Sequence, residues 1–356
     1  MLNILKLIDK IKNLLSDDIG IDLGTANTLV YVKGRGIVIN EPSMVAINKK
    51  TGQVVAVGRD AKEMLGRTPG HVRAVQPLID GVISDFEVTE EMLSYLINKA
   101  QNGFKLLGPR VVVGIPSGIT GVETRAVRDA AMNAGARTVH IVEEPMAAAI
   151  GIDLPVHEPT GSMVIDIGGG TTDIGVISLS GLVNSRNIKI AGDRLNSDII
   201  TYVRNEFKIL IGEKSAEDAK IAAGAVTGAV DSLESTVRGR DLVTGLPREI
   251  LVTDKDIREA IHHSITQLVD ITKEVLETTP PEIVSDIMQS GIYLVGGGAL
   301  IRGLADMLSD MLGGVSVIVA EDPLTAVVRG TGIILDDIDA YKESLKEHEN
   351  QISPTA

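Results

Sequence analysis

Short runs of β-branched and aliphatic residues occur in two pairs, and a glycine turn separates the members of each pair. The first pair is Ile19–Leu23 and Thr28–Val32, and the second is Met163–Ile167 and Ile174–Leu179. Short apolar runs bounded by Gly and polar residues are typical of strands that form a hairpin. We therefore predict two similar β-hairpins, about one domain apart along the chain.

Helical and strand patterns alternate after the first hairpin. We predict helices near 90–101, at 120–133 and from Glu144, with strands at Arg110–Ile115 and Thr138–Val142 between them. The second hairpin is again followed by helical patterns. This repetition predicts an α/β fold built from two divergent copies of one unit, with helices covering each sheet.

The second copy has its own order of predicted elements. A long helix is expected at 256–278, a strand at 292–295, a helix at 299–312 and a strand at 315–319. The segment from Gly181 to Thr253 is more polar and is predicted to be a helix-rich insertion.

Composition limits the classes of function. The 356 residues are 44% hydrophobic, which suits two domains with sizeable cores. A formal charge of −14 and only 2% aromatic residues disfavour direct nucleic-acid binding. The chain has no Cys, and no run reaches the roughly 18 apolar residues of a membrane-spanning helix. We therefore predict a cytoplasmic protein that does not cross a membrane.

The first fifteen residues form a strongly amphipathic helical pattern. One face carries Met1, Ile4, Ile8, Ile11 and Leu15. The opposite face carries Asn3, Lys6, Lys10 and Asn13. Charged residues interrupt the apolar positions, so the segment does not have the pattern of an export signal. It could bind a membrane interface or dock on the protein's own core.

The two predicted hairpin tips could bind a polyphosphate. Glycine lets the backbone approach an anion closely, and successive N–H groups in such turns form an anion-binding nest. The phosphate-binding residues are predicted to be Gly24, Thr25, Ala26 and Asn27 in the first tip and Gly168, Gly169, Gly170 and Thr171 in the second. Asp22 and Asp166 would hold Mg²⁺ through its water ligands. A glycine run alone is equally consistent with a purely structural turn.

Glu143 and Glu144 follow a predicted strand and open an Ala-rich helix. Glu144 is the candidate group that orients or deprotonates a water for attack on the γ-phosphate, with the Thr171 hydroxyl positioning that water. Acidic residues at a helix N-terminus also complement the helix dipole. For Glu143 this structural role and a functional one are equally plausible.

Two further features are candidates for binding the adenosine part of a nucleotide. A third glycine run, Gly296, Gly297 and Gly298 followed by Ala299, joins a strand to a helix, where bare backbone admits a flat group. Glu217 and Lys220 lie one helical turn apart and could contact a ribose and a base edge. By themselves these two residues are equally well explained as a solvated ion pair.

Taken in order, these motifs resemble the actin and heat-shock-chaperone ATPase superfamily. Within it, the chain is similar to the bacterial actins that determine rod cell shape, and the similarity covers about residues 19–335. The segments that carry it are 21–30, 36–43, 114–120, 143–151 and 239–247.

The resemblance implies an actin-like ATPase fold with two α/β lobes around a central nucleotide cleft, each lobe with a small inserted subdomain. It also implies ATP or ADP with Mg²⁺ as ligands and slow ATP hydrolysis. The implied lobes are 17–152 with 322–340, including a subdomain at about 33–75, and 153–321, including a subdomain at about 181–253. Residues 341–356 would form a flexible tail.

The resemblance further implies assembly into filaments, typically antiparallel pairs, at the inner face of the cell membrane. There they would work with membrane proteins of cell-wall elongation. The N-terminal helix 1–16 would bind lipid through Leu2, Ile4, Leu5, Ile8, Ile11 and Leu15. A second apolar loop would add Phe104, Leu106 and Leu107, although a buried turn is an alternative for this loop.

Two other classes of function remain open at this point. One is a soluble ATPase or phosphotransferase of the same superfamily. The other is a bacterial actin of division or plasmid segregation. The fold alone does not imply polymerisation, because the superfamily also contains monomeric enzymes.

Overall fold

The computed structural model describes residues 16–101, 107–228 and 233–346. The chain divides into two compact units. The first contains the residues up to 158, together with 178–182 and those from 325 onward, and the second contains 159–177 and 183–324. Each unit has its own hydrophobic core.

The main sheet of the first unit is built around the first predicted hairpin. Its strands are β1 (Ile19–Leu23), β2 (Asn27–Val32), β3 (Gly36–Pro42), β9 (Arg110–Ile115) and β10 (Thr138–Glu143), in the order β10-β9-β1-β2-β3. β1 pairs antiparallel with β2 and parallel with β9, and β10 is parallel to β9. The carboxyl ends of β1, β9 and β10 therefore lie at one edge of the sheet.

A smaller sheet follows β3 in the first unit. Its strands are β4 (Val45–Asn48), β5 (Val54–Val57) and β6 (Val72–Val75), and the short helix α1 (Arg59–Met64) packs on it. A short ribbon of β7 (Leu78–Ile79) and β8 (Val82–Ile83) follows.

Four further helices belong to the first unit. They are α2 (Phe86–Ala100), α3 (Gly121–Asn133), α4 (Glu144–Gly151) and α10 (Ala326–Asp336). Thr120 begins α3 with a capping box, in which its side chain and that of Glu123 each accept a backbone N–H of the other residue. α10 packs against α4 and β1, and it thereby joins the end of the chain to the sheet.

The main sheet of the second unit has the same arrangement as that of the first. Its strands are β11 (Ser162–Ile167), β12 (Thr172–Ser178), β13 (Gly181–Ile188), β17 (Ile292–Val295) and β18 (Val317–Val319), in the order β13-β12-β11-β17-β18. As in the first unit, the first hairpin strand pairs in parallel with a later strand, and that strand pairs with another parallel one. The common order is what duplication of one unit predicts.

The rest of the second unit consists of helices and a long hairpin. The helices are α5 (Gly192–Glu206), α6 (Glu213–Ala223), α7 (Asp254–Glu277), α8 (Pro281–Ser290) and α9 (Leu304–Met311). The remaining strands are β14 (Ile209–Leu210), β15 (Glu234–Asp241) and β16 (Pro247–Thr253), and the last two form the hairpin.

The predicted strands and the mixed α/β class are confirmed, with several corrections to individual elements. The helix expected at 299–312 is wrong in its first part, because Gly297–Leu300 forms a 3-10 turn and Gly303 has a left-handed backbone that breaks the run. The segment 181–253 contains β13 and the β15–β16 hairpin besides its helices. α2 begins at Phe86, because Asp85 accepts the Val88 N–H and caps the helix.

Within the expected tail, residues 341–346 are described and one of them packs against the first unit. Leu345 is buried and bridges to Val142, and the Lys346 ammonium lies 2.9 Å from a Glu143 carboxylate oxygen. No helix in the described ranges is long and apolar enough to cross a membrane. The predicted amphipathic helix 1–16 lies outside the described residues except for Ser16.

Candidate functional site

The first loop, residues 22–28, is the turn between β1 and β2. A Cβ on Gly24 would lie 2.6 Å from the Asn27 carbonyl oxygen, so only glycine fits this turn without a shift of the backbone. Thr25 is buried, whereas Ala26 and Asn27 at the tip are exposed. The exposed tip residues leave their backbone accessible to a ligand.

Side chains from other elements hold the first loop in place. The Ser43 hydroxyl donates to the Gly24 carbonyl at 2.5 Å, and the Ser43 N–H donates to the Ala26 carbonyl at 3.0 Å. The Thr25 hydroxyl accepts the Gly81 N–H at 3.0 Å, and the Thr28 and Ser43 hydroxyls are hydrogen-bonded at 2.8 Å. The loop is therefore preorganised by contacts with residues that are distant in sequence.

Asp22 and Glu144 are both close to Gly114 at the carboxyl edge of the first sheet. Asp22 pairs with Gly114 in the β1–β9 register, and a Cβ on Gly114 would lie 3.7 Å from the Glu144 Cγ. Glu144 begins α4 directly after β10, and it is only 8% exposed. The structure thus brings the predicted magnesium and water-activating carboxylates to the same edge of one sheet, where ligands of α/β folds commonly bind.

The electrostatics at this edge differ between the acidic residues. Burial raises the pKa of Asp22 to about 7, so a neighbouring cation would stabilise its carboxylate at neutral pH. Glu143, by contrast, is paired with Lys346. This ion pair favours the structural explanation of Glu143.

The second loop, residues 166–173, is the turn between β11 and β12. The Gly168 N–H donates to the Thr171 carbonyl at 2.9 Å and closes the turn. The start of α5 reaches the same loop, because the Gly192 N–H donates to the Gly168 carbonyl at 3.1 Å and the Asp193 N–H to the Gly169 carbonyl at 2.8 Å. Backbone groups of α5 therefore support this loop.

Lys220 on α6 lies beside the second loop. Its ammonium donates to the Gly192 carbonyl at 2.9 Å, and a Cβ on Gly192 would lie 3.3 Å from that nitrogen and 3.4 Å from the Gly168 carbonyl oxygen. Glu217, on the same helix, is half-buried. Lys220 is therefore anchored to backbone next to the predicted phosphate site.

The third glycine run packs on the end of β11. Gly296 has φ +78°, and a Cβ there would lie 2.4 Å from an Asp166 carboxylate oxygen and 2.5 Å from the Ile167 carbonyl oxygen. A Cβ on Gly298 would lie 2.1 Å from the Ile167 side chain, and Ala299 is buried. The structure thus brings Asp166, the second loop and the run at 296–299 together within the second unit.

The remaining predicted residues are placed as follows. Leu107 is 38% exposed, and the other predicted lipid-binding residues lie outside the described ranges. The described residues contain no group of three or more His, Asp or Glu side chains that could hold a metal ion. A Mg²⁺ site that uses Asp22 and Asp166 through water remains a prediction.

No sequence motif described above predicts a role for Ser43, Gly81 or Gly192. Gly192 has a detectable signal, because a glycine before an Asp opens an amphipathic helical pattern directly after a strand. Ser43 and Gly81 have none, since each acts through a fold contact with a loop that is distant in sequence.

Comparisons with known proteins agree with this architecture. A family model described as "MreB/Mbl protein" matches residues 16–343. The cell shape-determining protein Mbl of Bacillus subtilis is 50% identical over 322 residues, which cover 90% of this chain and 96% of that protein. The cell shape-determining protein MreB of Escherichia coli is 50% identical over 348 residues, which cover 96% of this chain and all of that protein.

Solved structures show the same fold. MreB5 of Spiroplasma citri bound to ADP is 40% identical and has a TM-score of 0.86, with 91% of this chain and 97% of that chain covered. The same protein bound to AMPPNP has a TM-score of 0.87, with 92% and 98% covered. The actin-like fold predicted from the sequence is therefore confirmed, and the chain belongs to the MreB/Mbl family of cell shape-determining bacterial actin homologues.

Proposed function

We propose that this protein binds ATP with Mg²⁺, hydrolyses it slowly to ADP and phosphate, and uses the nucleotide to control assembly into membrane-associated filaments. In the cell, such filaments would organise cell-wall elongation. The observation that carries the catalytic part is the location of Asp22 and Glu144 at the sheet edge that bears the first loop. The ADP and AMPPNP in the Spiroplasma citri structures give further support.

The phosphates would bind to the backbone N–H groups of the two loops. The tip of the first loop is exposed and held by Ser43, and the second loop is held by the start of α5. Preorganised donors do not have to reorient when the charge on the phosphate changes, and this property makes such donors effective. The adenosine would lie on the backbone at 296–299, with Lys220 and Glu217 nearby in the second unit.

The carboxylates of Asp22 and Asp166 are each of the chemical type that holds a hydrated Mg²⁺ ion. Mg²⁺ usually keeps several waters and is shared between one or two carboxylates and substrate phosphates. Asp22 and Asp166 each lie at the end of a strand beside glycine backbone. When bound, the ion would neutralise charge on the phosphates. The raised pKa of Asp22 agrees with a carboxylate whose ionised form needs a cation.

Glu144 would orient the attacking water and accept its proton, while Thr171 would hydrogen-bond the same water. Replacing Glu144 with Gln preserves the shape of the side chain and removes the basic oxygen. We expect phosphate release to fall by about 100-fold or more, with nucleotide affinity largely preserved, because the phosphate-binding loops are unchanged.

The matched control is Glu143→Ala, which changes the adjacent carboxylate and breaks only its ion pair with Lys346. Hydrolysis would be followed as phosphate release and nucleotide binding with a fluorescent ATP analogue. Glu144→Gln with wild-type hydrolysis, or Glu143→Ala with the same loss as Glu144→Gln, would exclude the assigned role.

The tip of the β15–β16 hairpin is a candidate contact surface for assembly. Leu242, Val243 and Leu246 are exposed there, and Val243 is 82% exposed. The Asp241 carboxylate accepts the N–H groups of Val243 and Thr244 at 2.8 and 2.9 Å, and these hydrogen bonds fix the turn at the tip. Clustered exposed apolar side chains are typical of surfaces that another protein chain covers.

Assembly and membrane binding are tested together by pelleting with phosphatidylglycerol and phosphatidylethanolamine liposomes in ATP. We expect the full chain to pellet with liposomes and to form filaments visible by electron microscopy. A chain lacking residues 1–16 should lose most lipid binding, and Val243→Asp should lose assembly, whereas Val243→Ile should retain it.

The outcomes separate the alternatives. A soluble monomer in every condition would favour a monomeric superfamily ATPase over a filament protein. Equal lipid binding with and without residues 1–16 would show that the N-terminal helix is not needed for membrane binding.

A further inference from the structure

A cavity of about 220 Å³ lies in the first unit, and no residue of the two loops lines it. It is formed where α4 ends and the chain continues through residues 152–158 before it enters the second unit at 159. Ile150 and Val156, both buried, provide apolar lining. Pockets for drug-sized ligands are about 300–1,000 Å³, so this cavity suits one large side chain better than a cofactor.

Two aromatic rings form one wall of the cavity. The His157 and Tyr341 ring centroids are 5.0 Å apart with an interplanar angle of 41°. His157 Nδ1 is hydrogen-bonded to the Ser180 hydroxyl at 2.8 Å. Tyr341 is positioned by the chain that follows it, because Leu345 bridges to Val142 at the edge of the main sheet. The His157 ring is therefore held by Ser180, and the backbone that follows Tyr341 is held by the strand pairing of Leu345.

The turn between β12 and β13 fixes the other side of the cavity. The Leu179 N–H donates to the Glu158 carbonyl at 3.1 Å, and the Ser180 N–H donates to the Val156 carbonyl at 2.6 Å. These bonds tie residues 156–158 to a second segment of backbone. The cavity is thus a built feature of the first unit.

The charges around the cavity are negative. Asp153 and Glu158 line it, and in the described ranges neither carboxylate forms an ion pair with a Lys, Arg or His side chain. Burial, followed by the charges of Asp153 and Asp337, raises the pKa of the Tyr341 phenol. A cation in the cavity would therefore meet both unneutralised carboxylates and an aromatic face.

We propose that this cavity binds an arginine side chain presented by a partner protein. A guanidinium is planar, stacks on aromatic rings and donates to two carboxylates, whereas its three-carbon stem suits the apolar lining. A lysine ammonium has the same charge as a guanidinium, but it lacks the planar group that can stack on the Tyr341 and His157 rings. This proposal is independent of nucleotide hydrolysis.

The test uses the full chain, nucleotide-free and monomeric by sedimentation, with labelled Ile, Leu and Val methyl groups observed by NMR. The probe is Nα-acetylarginine amide, and the matched control is Nα-acetylcitrulline amide, which has nearly the same shape without the charge. We expect the arginine probe to shift the Ile150, Leu154 and Val156 methyl signals with a dissociation constant of about 1 mM, since one side chain provides few contacts.

Variants separate charge from shape. The double change Asp153→Asn with Glu158→Gln should weaken binding by about tenfold, and Tyr341→Leu should weaken it several-fold. Asp339→Asn, at an exposed acidic residue that does not line the cavity, should change binding less than twofold. The methyl spectrum of this variant also checks that removing one negative charge does not disturb the fold.

Several outcomes would overturn the proposal. Equal shifts from the citrulline probe would show that the site does not select a cation, and Nα-acetyllysine amide that binds more tightly than the arginine probe would exclude a guanidinium site. Binding in this cavity would be excluded if only other methyl groups shifted. It would also be excluded if the Ile150 signal did not shift at a probe concentration 20-fold above the expected dissociation constant of about 1 mM.

Discussion

The first and second loops have the same strand register and different supports. Both connect antiparallel strands, and in both an Asp lies near the end of the first strand, which pairs in parallel with a later strand. The first loop is held mainly by the side chains of Ser43 and Thr25. The second is held by backbone N–H groups at the start of α5 and by Lys220 next to them.

The difference shows that one local design can be made rigid in two ways. A side-chain support can be removed by a single substitution. A backbone support persists through most substitutions, because every residue except Pro keeps its N–H group. The two copies are therefore expected to respond differently to equivalent changes.

The largest difference is expected from alanine at the first glycine of each loop. A Cβ at Gly24 would lie 2.6 Å from the Asn27 carbonyl oxygen, whereas a Cβ at Gly168 would lie 3.1 Å from the Thr171 carbonyl oxygen. We expect Gly24→Ala to lower the free energy of unfolding by about 1–3 kcal/mol and to weaken nucleotide binding. Gly168→Ala should lower it by less than about 1 kcal/mol, because a small shift relieves the contact. Urea unfolding and ATP-analogue titration measure both effects, and equal losses would contradict the comparison.

A smaller difference is expected when the supports themselves are removed. Ser43→Ala removes a hydroxyl that bonds to both Gly24 and Thr28, and we expect a loss of about 1–2 kcal/mol in stability. The backbone N–H of residue 43 should also exchange hydrogen faster, since its acceptor, the Ala26 carbonyl, is part of the loosened loop. Ser285→Ala, at an exposed helical position, is the control for the Ser-to-Ala change.

The matching change in the second unit is Lys220→Met, which keeps the length of the side chain and removes its ammonium. The N–H groups of Gly192 and Asp193 should keep their protection from hydrogen exchange, because their backbone acceptors in the second loop remain. The Gly192 and Asp193 N–H groups in Lys220→Met would be compared with the residue 43 N–H in Ser43→Ala. Faster hydrogen exchange at the first two would show that Lys220, and not the backbone, holds the second loop.

The smallest effect concerns a third Asp-containing turn, at the tip of the β15–β16 hairpin. There, backbone N–H groups of Thr244 and Val243, together with Arg248, lower the pKa of Asp241 to about 2, in contrast to the raised pKa of Asp22. Because the folded pKa is below the ordinary value of 3.8, this carboxylate stabilises the fold above about pH 4, and the stabilisation disappears as the pH falls toward 2. Asp241→Asn should therefore lower the melting temperature slightly at pH 6 and hardly at all near pH 2. A difference that is constant with pH would mean that the charge of Asp241 does not contribute.

The sequence predicts the hairpins well because their signals are local. β-branched runs and a glycine turn lie within about ten residues of each other, and the backbone has few ways to connect them. The β15–β16 hairpin is missed because its strands carry Arg, Glu and Ser on exposed faces and give a weak hydrophobic alternation. The helix predicted from Ala299 is too long because the pattern cannot show that Gly303 takes a left-handed conformation.

The candidate site also contains some features with a local sequence signal and others without one. The two loops, Glu144 and the run at 296–299 are visible as candidates in the sequence, because glycine is favoured where backbone approaches an anion and each motif spans only a few neighbouring residues. The anchoring of Lys220 to Gly192, the ion pair of Glu143 with Lys346 and the cavity beside Tyr341 cannot be predicted from the pattern.

The sequence by itself therefore determined the two Asp–Gly hairpins, the duplicated α/β order and the chemistry expected at the loop tips, because each depends on residues that are neighbours along the chain. Only the tertiary structure decided that Ser43 holds the first loop and α5 the second, and that Asp22 and Glu144 share one sheet edge. The physical reason is that these contacts join segments far apart in sequence, and strand order, which sets their distance, follows from the packing of the whole unit.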